Sequence, residues 1–107
     1  MPCDIAVIGL GVMGRNIALN MADQGHKVAV YNRSQGKVDL MMEQVTDNQT
    51  VVALDDIREL QQQLQAPRKV LLMLTAGSAV DSVIENLLQA LEPGDIIIDG
   101  GDRKSVV

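Results

Sequence analysis

The 107-residue chain has room for one domain and not for two. Hydrophobic residues make up 47% and aromatics 1%, Tyr31 alone, so the core must be Val, Ile, Leu and six Met; that palette suits a buried parallel sheet, whose strands are apolar on both faces. A formal charge of −5 excludes a global basic surface for nucleic acid, so any polyanion must be held by local donors. One cysteine, Cys3, excludes an internal disulfide and a cysteine cluster for metal, and fits a reducing, cytoplasmic setting. No basic region precedes the apolar start, and Gly9, Gly11 and Gly14 interrupt it, which argues against a signal peptide or a membrane span.

Asp4 to Ile8 predicts a first strand, followed by a glycine turn and a helix from about Met13 to Gln24. Met13, Ile17 and Met21 fall on one helical face, expected to point inward, and Gly25 is a stop signal. Lys27 to Tyr31 predicts a second strand. Ser34 can cap a second helix over Gln35–Gln44, with Val38, Met41 and Met42 inward. Val51–Ala53 reads as a short third strand. Asp55 or Asp56 can cap a helix carrying Ile57, Leu60 and Leu64 inward, which Pro67 ends. Lys69 to Leu74 predicts a fourth strand, and Thr75-Ala76-Gly77-Ser78 a turn with Ser78 as cap. Val80, Ile84, Leu87, Leu88 and Leu91 form the expected inner stripe of the next helix. A fifth strand follows in Asp95 to Asp99, and residues 102–107 receive no assignment. Strands and helices alternating through short loops imply an α/β fold: a Rossmann-type, doubly wound parallel sheet in a single domain over residues 1–107.

The chemistry concentrates in Gly9-Leu10-Gly11-Val12-Met13-Gly14, a G-x-G-x-x-G with a strand before it and a helix after it. Gly9 permits the tight turn, Gly11 lets backbone approach a pyrophosphate, and Gly14 lets the helix pack close to the strand. The helix N-terminus offers N–H groups and partial positive charge to the diphosphate. Where NAD sites place Asp or Glu for the ribose hydroxyls, this sequence has Asn32-Arg33-Ser34. No carboxylate repels a 2′-phosphate there. Arg33 can pair with it and lie against adenine, Ser34 can donate a hydroxyl, and Lys37 lies one turn away. The reading is NADP over NAD. Thr75-Ala76-Gly77, after the fourth strand, either borders the cofactor or is a plain loop. His26 reads as a surface histidine, and Asp55, Asp56, Glu59 and Asp81 as caps and solvated faces. The sequence offers no metal-ligand spacing and no nucleophile–base pair.

Ile8 through Gly14, Asn20-Met21, Asn32-Arg33-Ser34, Pro67-Arg68, Ala76-Gly77 with Val80-Asp81, and Gly94 through Gly101 together resemble the 6-phosphogluconate dehydrogenase family. The resemblance implies NADP-dependent oxidative decarboxylation of 6-phosphogluconate to ribulose 5-phosphate, in gluconate utilization and the pentose phosphate pathway. It implies that Gly9 through Gly14 hold the pyrophosphate, that Asn32, Arg33 and Ser34 hold the 2′-phosphate end, and that Leu74, Thr75 and Ala76 line the cofactor. Two positions depart from the family pattern. Thr75 stands where the family commonly has Lys. Asp102 stands where it has an Asn that touches substrate, and a carboxylate there would repel a phosphorylated sugar acid. The resemblance places the family's catalytic lysine and glutamate, and the helical domain through which it dimerises, beyond residue 107. The expectation is therefore a truncated cofactor domain that binds NADP, carries no catalytic residue and does not catalyse alone. The alternatives are a non-catalytic NADP-binding or interaction module, and a fragment of a related β-hydroxyacid dehydrogenase. Asp99-Gly100-Gly101 in place of Asp-x-Ser-Thr speaks against the latter.

Overall fold

The computed structural model describes residues 2–33, 35–65, 67–73, 78–99 and 104–106, with backbone alone for 78–81, 99 and 104–106. The elements in chain order are β1 (Ile5–Ile8), α1 (Val12–Asp23), β2 (Lys27–Tyr31), α2 (Gln35–Met42), β3 (Thr50–Ala53), a 3-10 turn (Ile57–Glu59) running into α3 (Leu60–Gln63), β4 (Lys69–Leu72), α4 (Ser78–Ala90), β5 (Ile96–Asp99) and β6 (Lys104–Val106). The sheet order is β3-β2-β1-β4-β5-β6. β1 through β5 run parallel, and β6 pairs antiparallel with β5 through Ile96↔Val106 and Ile98↔Lys104. The sequence left this edge strand unassigned, because three residues are too few to show a period.

Alternation along the strands feeds two cores, one on each face of the sheet. Val7, Val28 and Val30 pack against Ala18 and Ala22 of α1 and Val38 and Met41 of α2. Ala6, Ile8, Ala29, Val70 and Leu72 pack on the other face, against Ile57, Leu60, Leu64, Val83, Leu87 and Leu91. Ile57, Leu60 and Leu64 are inward as expected, with Asp56 as cap, its side chain accepting from the Arg58 N–H at 2.9 Å. Gly25, at φ 96°, ends α1: its N–H donates to Ala22 O, and the His26 N–H to Met21 O.

The inner stripe of α1 is shifted from the expectation, while those of α2 and α4 hold at Val38, Met41, Ile84, Leu87 and Leu91 and differ at one residue each, the Val80 side chain lying outside the described residues. In α1 the buried residues are Gly14, Ala18 and Ala22, while Met13 is 67% exposed. Only small side chains fit where this helix approaches the sheet, so the larger residues flank the contact. In α2, which ends at Met42, Val38 and Met41 are buried while Met42 is 36% exposed, one step round the helix. In α4 Leu87 is buried but Leu88 is 51% exposed, and Val83 completes the stripe one turn before Leu87. Ser78 is the first residue of α4 rather than the cap before it, and β4 ends at Leu72.

At the amino edge of the sheet lies a buried pair. The Asp95 carboxylate, 1% exposed, accepts from the Arg68 N–H (2.7 Å), Arg68 Nη1 (3.2 Å) and the Glu92 N–H (2.8 Å). Arg68 Nη2 donates to Gln61 O at 3.2 Å. One carboxylate thus ties the entries of β4 and β5 together, and its arginine reaches α3. Burial raises the Asp95 pKa, but the hydrogen bonds from Glu92, Arg68 N–H and the guanidinium together outweigh it, and the group sits below its ordinary 3.8.

Asp95→Ala should lower the unfolding free energy by about 3 kcal/mol, because it leaves the nearly buried Arg68 guanidinium with only the more distant, exposed Glu92 carboxylate at 3.9 Å. The folded-state pKa is depressed, so the stabilisation is full above the ordinary 3.8 and is lost as pH falls through the lower folded value. Urea titrations of both chains should show the gap at neutral pH and its narrowing in acid. Coincident neutral curves would contradict the assignment.

A Cβ at Gly14 would overlap Gly9 O and stand 3.2 Å from Met73 Cβ, whereas a Cβ at Gly11 meets nothing within 4 Å. Gly14→Ala should therefore destabilise the fold by about 1–3 kcal/mol, and Gly11→Ala far less. Thermal melts that rank the two variants in the opposite order would refute the packing described here.

Candidate functional site at the carboxyl edge

β1 sits at the centre of the sheet, with β2 on one side and β4 on the other, in register through Ile8↔Tyr31 and Ile8↔Leu72. The chain moves outward from β1 in one direction through β2 and β3, then returns to its other side for β4. Ligands in such sheets bind at the carboxyl ends of the strands, where the order reverses. The glycine turn leaves β1 at this point.

The turn is held from both sides. The Gly9 N–H donates to Tyr31 O at 2.9 Å, and the Met73 N–H donates to Ile8 O at 2.8 Å. Gly9 has φ 100°, a conformation that glycine adopts without strain. The Leu10 N–H donates to Asn32 Oδ1 at 2.9 Å, and the Leu10 side chain is buried in the core. Gly11 is the N-cap of α1 at φ −67° and ψ −174°, and makes no side-chain cap bond. The first-turn N–H groups of Val12, Met13 and Gly14 therefore receive no cap from it. The first turn of α1 carries no acidic residue, so no fixed carboxylate competes for the positive helix end. Val12 and Met13 are 65% and 67% exposed beside it.

The backbone at Gly11 is one any residue can adopt, and the space a side chain would fill is open. Neither strain nor packing within the protein requires glycine there. Gly14 is the opposite case, fixed by contact with Gly9. A glycine that nothing inside the protein demands, next to uncapped amides, fits a cradle for a phosphate group.

Arg33 and Lys37 are exposed, and neither forms an ion pair among the described residues. Both follow the end of β2, near the turn that Asn32 braces. Ser34, Leu74, Thr75, Ala76 and Asp102 lie outside the described residues. His26 is exposed, with Nδ1 3.9 Å from Asp4 Oδ2. Cys3 is buried next to β1 in a bridge to Leu64, and burial pushes its thiol pKa up, which keeps it protonated. Among the described residues no group of three His, Cys, Asp or Glu could hold a metal ion. No helix among them is long and apolar enough to cross a membrane.

Sequence reasoning missed a cleft of about 240 Å³ bordered by Tyr31, Asp55, Asp56, Arg58, Asn86 and Gln89. Its one strong ionic feature is internal. Asp56 accepts from Arg58 Nε at 3.2 Å and Nη2 at 2.9 Å, and these hydrogen bonds pull its pKa down to about 2. The guanidinium is thus already matched by a carboxylate, with Asp55 beside it, and the cleft is a poor home for a phosphate. The single-chain signal for it was weak, since its residues come from three separate segments.

The family model for the NAD binding domain of 6-phosphogluconate dehydrogenase matches residues 4–105. A decarboxylating 6-phosphogluconate dehydrogenase of Bacillus licheniformis is 53% identical over 98 residues, 92% of this chain and 21% of that protein. One from Bacillus subtilis, named as NAD(+)-dependent and decarboxylating, is 50% identical with the same coverage, 92% and 21%. The solved Plasmodium falciparum 6-phosphogluconate dehydrogenase, described in apo form and with its cofactor NADP+ and its substrate 6-phosphogluconate, superposes with a TM-score of 0.83. It is 44% identical, over 92% of this chain and 21% of that one. The chain therefore spans about a fifth of the length of the relatives it matches. On the match over residues 4–105 and these identities, the chain belongs to the family of 6-phosphogluconate dehydrogenase NAD-binding domains.

Proposed function

We propose that this chain binds NADP at the carboxyl edge and is the cofactor-binding part of a decarboxylating 6-phosphogluconate dehydrogenase. The observation that carries the reading is the open space at Gly11 beside the uncapped first turn of α1. The amides of Val12, Met13 and Gly14 take the pyrophosphate oxygens, as helix N-termini do. Arg33 takes the 2′-phosphate, with Ser34 and Lys37 adding donors around it. Leu74, Thr75 and Ala76 line the far side. The bound nicotinamide, when present, supplies the hydride acceptor; the residues of this chain bind and orient the cofactor.

The preference for NADP rests on this chain's own residues, since a relative 50% identical is named as NAD(+)-dependent. Position 32 is an amide rather than a carboxylate, and two cations without ion pairs among the described residues follow it. Substrate turnover belongs to the whole dehydrogenase. There the reading places oxidation and decarboxylation of 6-phosphogluconate to ribulose 5-phosphate, in a cytoplasmic enzyme of the pentose phosphate pathway that dimerises through its helical part. The 107 residues by themselves hold cofactor without forming NADPH, because a general base at the substrate hydroxyl and an acid for the enediol must both lie within hydrogen-bond reach. The described carboxylates here are caps, surface charges and the buried Asp95. Asp102, the position that corresponds to a substrate contact, has the wrong charge for one.

Calorimetry tests the binding claim. NADP should bind about ten- to a hundred-fold more tightly than NAD, the equivalent of roughly 1.5–3 kcal/mol for a charge-assisted pair. Arg33→Ala should remove most of that preference. Equal affinities in the parent chain, or a preference that survives Arg33→Ala, would refute the assignment.

Gly11→Val is expected to abolish binding while leaving the circular dichroism spectrum and melt close to those of the parent. Its Cβ enters space that the protein itself leaves open. A folded variant with normal affinity would move the phosphate site elsewhere.

A further inference from the structure

We infer that the β4–β5 half of the sheet, on the face that carries α1, is a docking surface for a second copy of this chain, with the apolar edge of α1 from each copy seated over the bare strands of the other. The surface follows from packing alone and goes beyond the cofactor reading above.

Parallel sheets have both faces covered by helices, and here one face is only half covered. α1 packs on β1 and β2, and α2 on β3, while α3 and α4 lie on the opposite face with Leu60, Val83 and Leu87. Among the described residues no helix lies over β4 and β5 on the α1 side. The side chains that alternate toward that side are Leu71 and Met73, Ile96 and Ile98, and Ile5 of β1. All five are half-buried, whereas Val70 and Leu72, of opposite parity in β4, are buried. α1 borders this strip with an apolar edge of its own. Met13, Ile17 and Met21 share one side of the helix; Met13 is 67% exposed, and Ile17 and Met21 are half-buried. Their spacing reads as an inward stripe, and a second copy gives it a surface to face.

A helical ridge beside a flat apolar strip is its own complement under two-fold symmetry. An axis running along the strands between β1 and β4 sets each α1 over the other copy's β4 and β5, side by side with that copy's own α1. Each half-sheet then gains the helix layer it lacks. The charges at the rim agree with this operator. At the amino end a cleft of about 170 Å³ is bordered by Asp4, Ile5, Met21, His26 and Lys69. Asp4 and Lys69 are exposed and opposite in sign. Lys69 forms no ion pair among the described residues, and Asp4 meets only His26, at 3.9 Å. The same axis sets each Lys69 against the other copy's Asp4. An unrelated partner would have to reproduce that match, whereas a second copy already carries it.

The test uses the 107-residue chain without ligand. Sedimentation equilibrium should show a reversible dimer. Ile17→Glu, in the middle of the α1 edge, should weaken it by about ten-fold or more while leaving the circular dichroism spectrum unchanged. Dilution of methyl-labelled chain locates the contact: the signals of Met21 and Met73 should shift, and those of Met41 and Met42 should stay. The rim is tested by exchanging charge. Lys69→Glu and Asp4→Lys should each weaken self-association by about three- to ten-fold. An equimolar mixture of the two variants should recover the affinity of the parent, since only the mixed dimer pairs every cation with an anion. Both are changes at exposed positions, so they decide the matter even where Ile17→Glu fails to fold. A chain that stays monomeric at every concentration overturns the inference and leaves the face to a different polypeptide. A dimer whose shifts centre on Met42 overturns it too, as does a mixture that associates no more tightly than either variant alone.

Discussion

A methyl group on Gly14 would overlap the carbonyl oxygen of Gly9, and that close approach of α1 to the start of its own turn organises the whole carboxyl edge. With Gly14, Ala18 and Ala22 as its buried residues and Leu19 and Met21 packed at the margin, α1 lies close against β1 and β2. Its first turn is therefore delivered to the centre of the sheet, where the strand order reverses. Gly11 then stands at the start of that turn with open space where a Cβ would lie. Tyr31 O and Asn32 Oδ1 hold the turn from the β2 side, and Ile8 O ties the start of the next loop through Met73. A binding surface made of backbone needs this kind of external support, since it has no side chains of its own to set its shape.

The two edges of the sheet carry different duties. At the amino edge the polar groups are spent on one another: Asp95 accepts three hydrogen bonds and Arg68 is nearly buried. That edge closes β4, β5 and α3 into one unit. At the carboxyl edge Arg33 and Lys37 stay exposed, without ion pairs among the described residues, and the first-turn amides are left without a side-chain cap. On the function proposed above, those exposed cations are the ones available to a ligand. A chain with net charge −5 draws in a polyanion only through such local donors.

The elements legible in the sequence were those with strong local signals. Strand β2 was read residue for residue, because Val28 to Val30 lie between a turn and Asn32-Arg33. Two glycines of the turn have the mechanical reasons the sequence suggested: Gly9 at φ 100° and Gly14 in close contact with Gly9 O. Less legible were features that depend on distance rather than period. The inward face of α1 was placed on Met13, Ile17 and Met21, because hydrophobicity alone favours large residues, whereas proximity to the sheet selects small ones. Leu88 and Met42 look inward by type and point outward by angle. The Arg68–Asp95 pair and the Asn32 brace join residues 27 and 22 apart, and no local pattern announces them. At the site itself Asn32 was read as part of the phosphate end, and the bond that its Oδ1 accepts from the Leu10 N–H had no signal in the sequence.

The central claim is that the carboxyl-edge turn, and not the cleft bordered by Asp55 and Asn86, receives the dinucleotide. Titration of the ¹⁵N-labelled chain with NADP, followed amide by amide, tests it directly. The account predicts the largest shifts at Gly11, Val12, Met13 and Gly14, with a second group at Arg33 and Lys37, and little change at Gln65 or Lys69 on the amino edge. Shifts centred on Asp55, Asp56, Asn86 and Gln89, or a spectrum that does not change at saturating NADP, would contradict it.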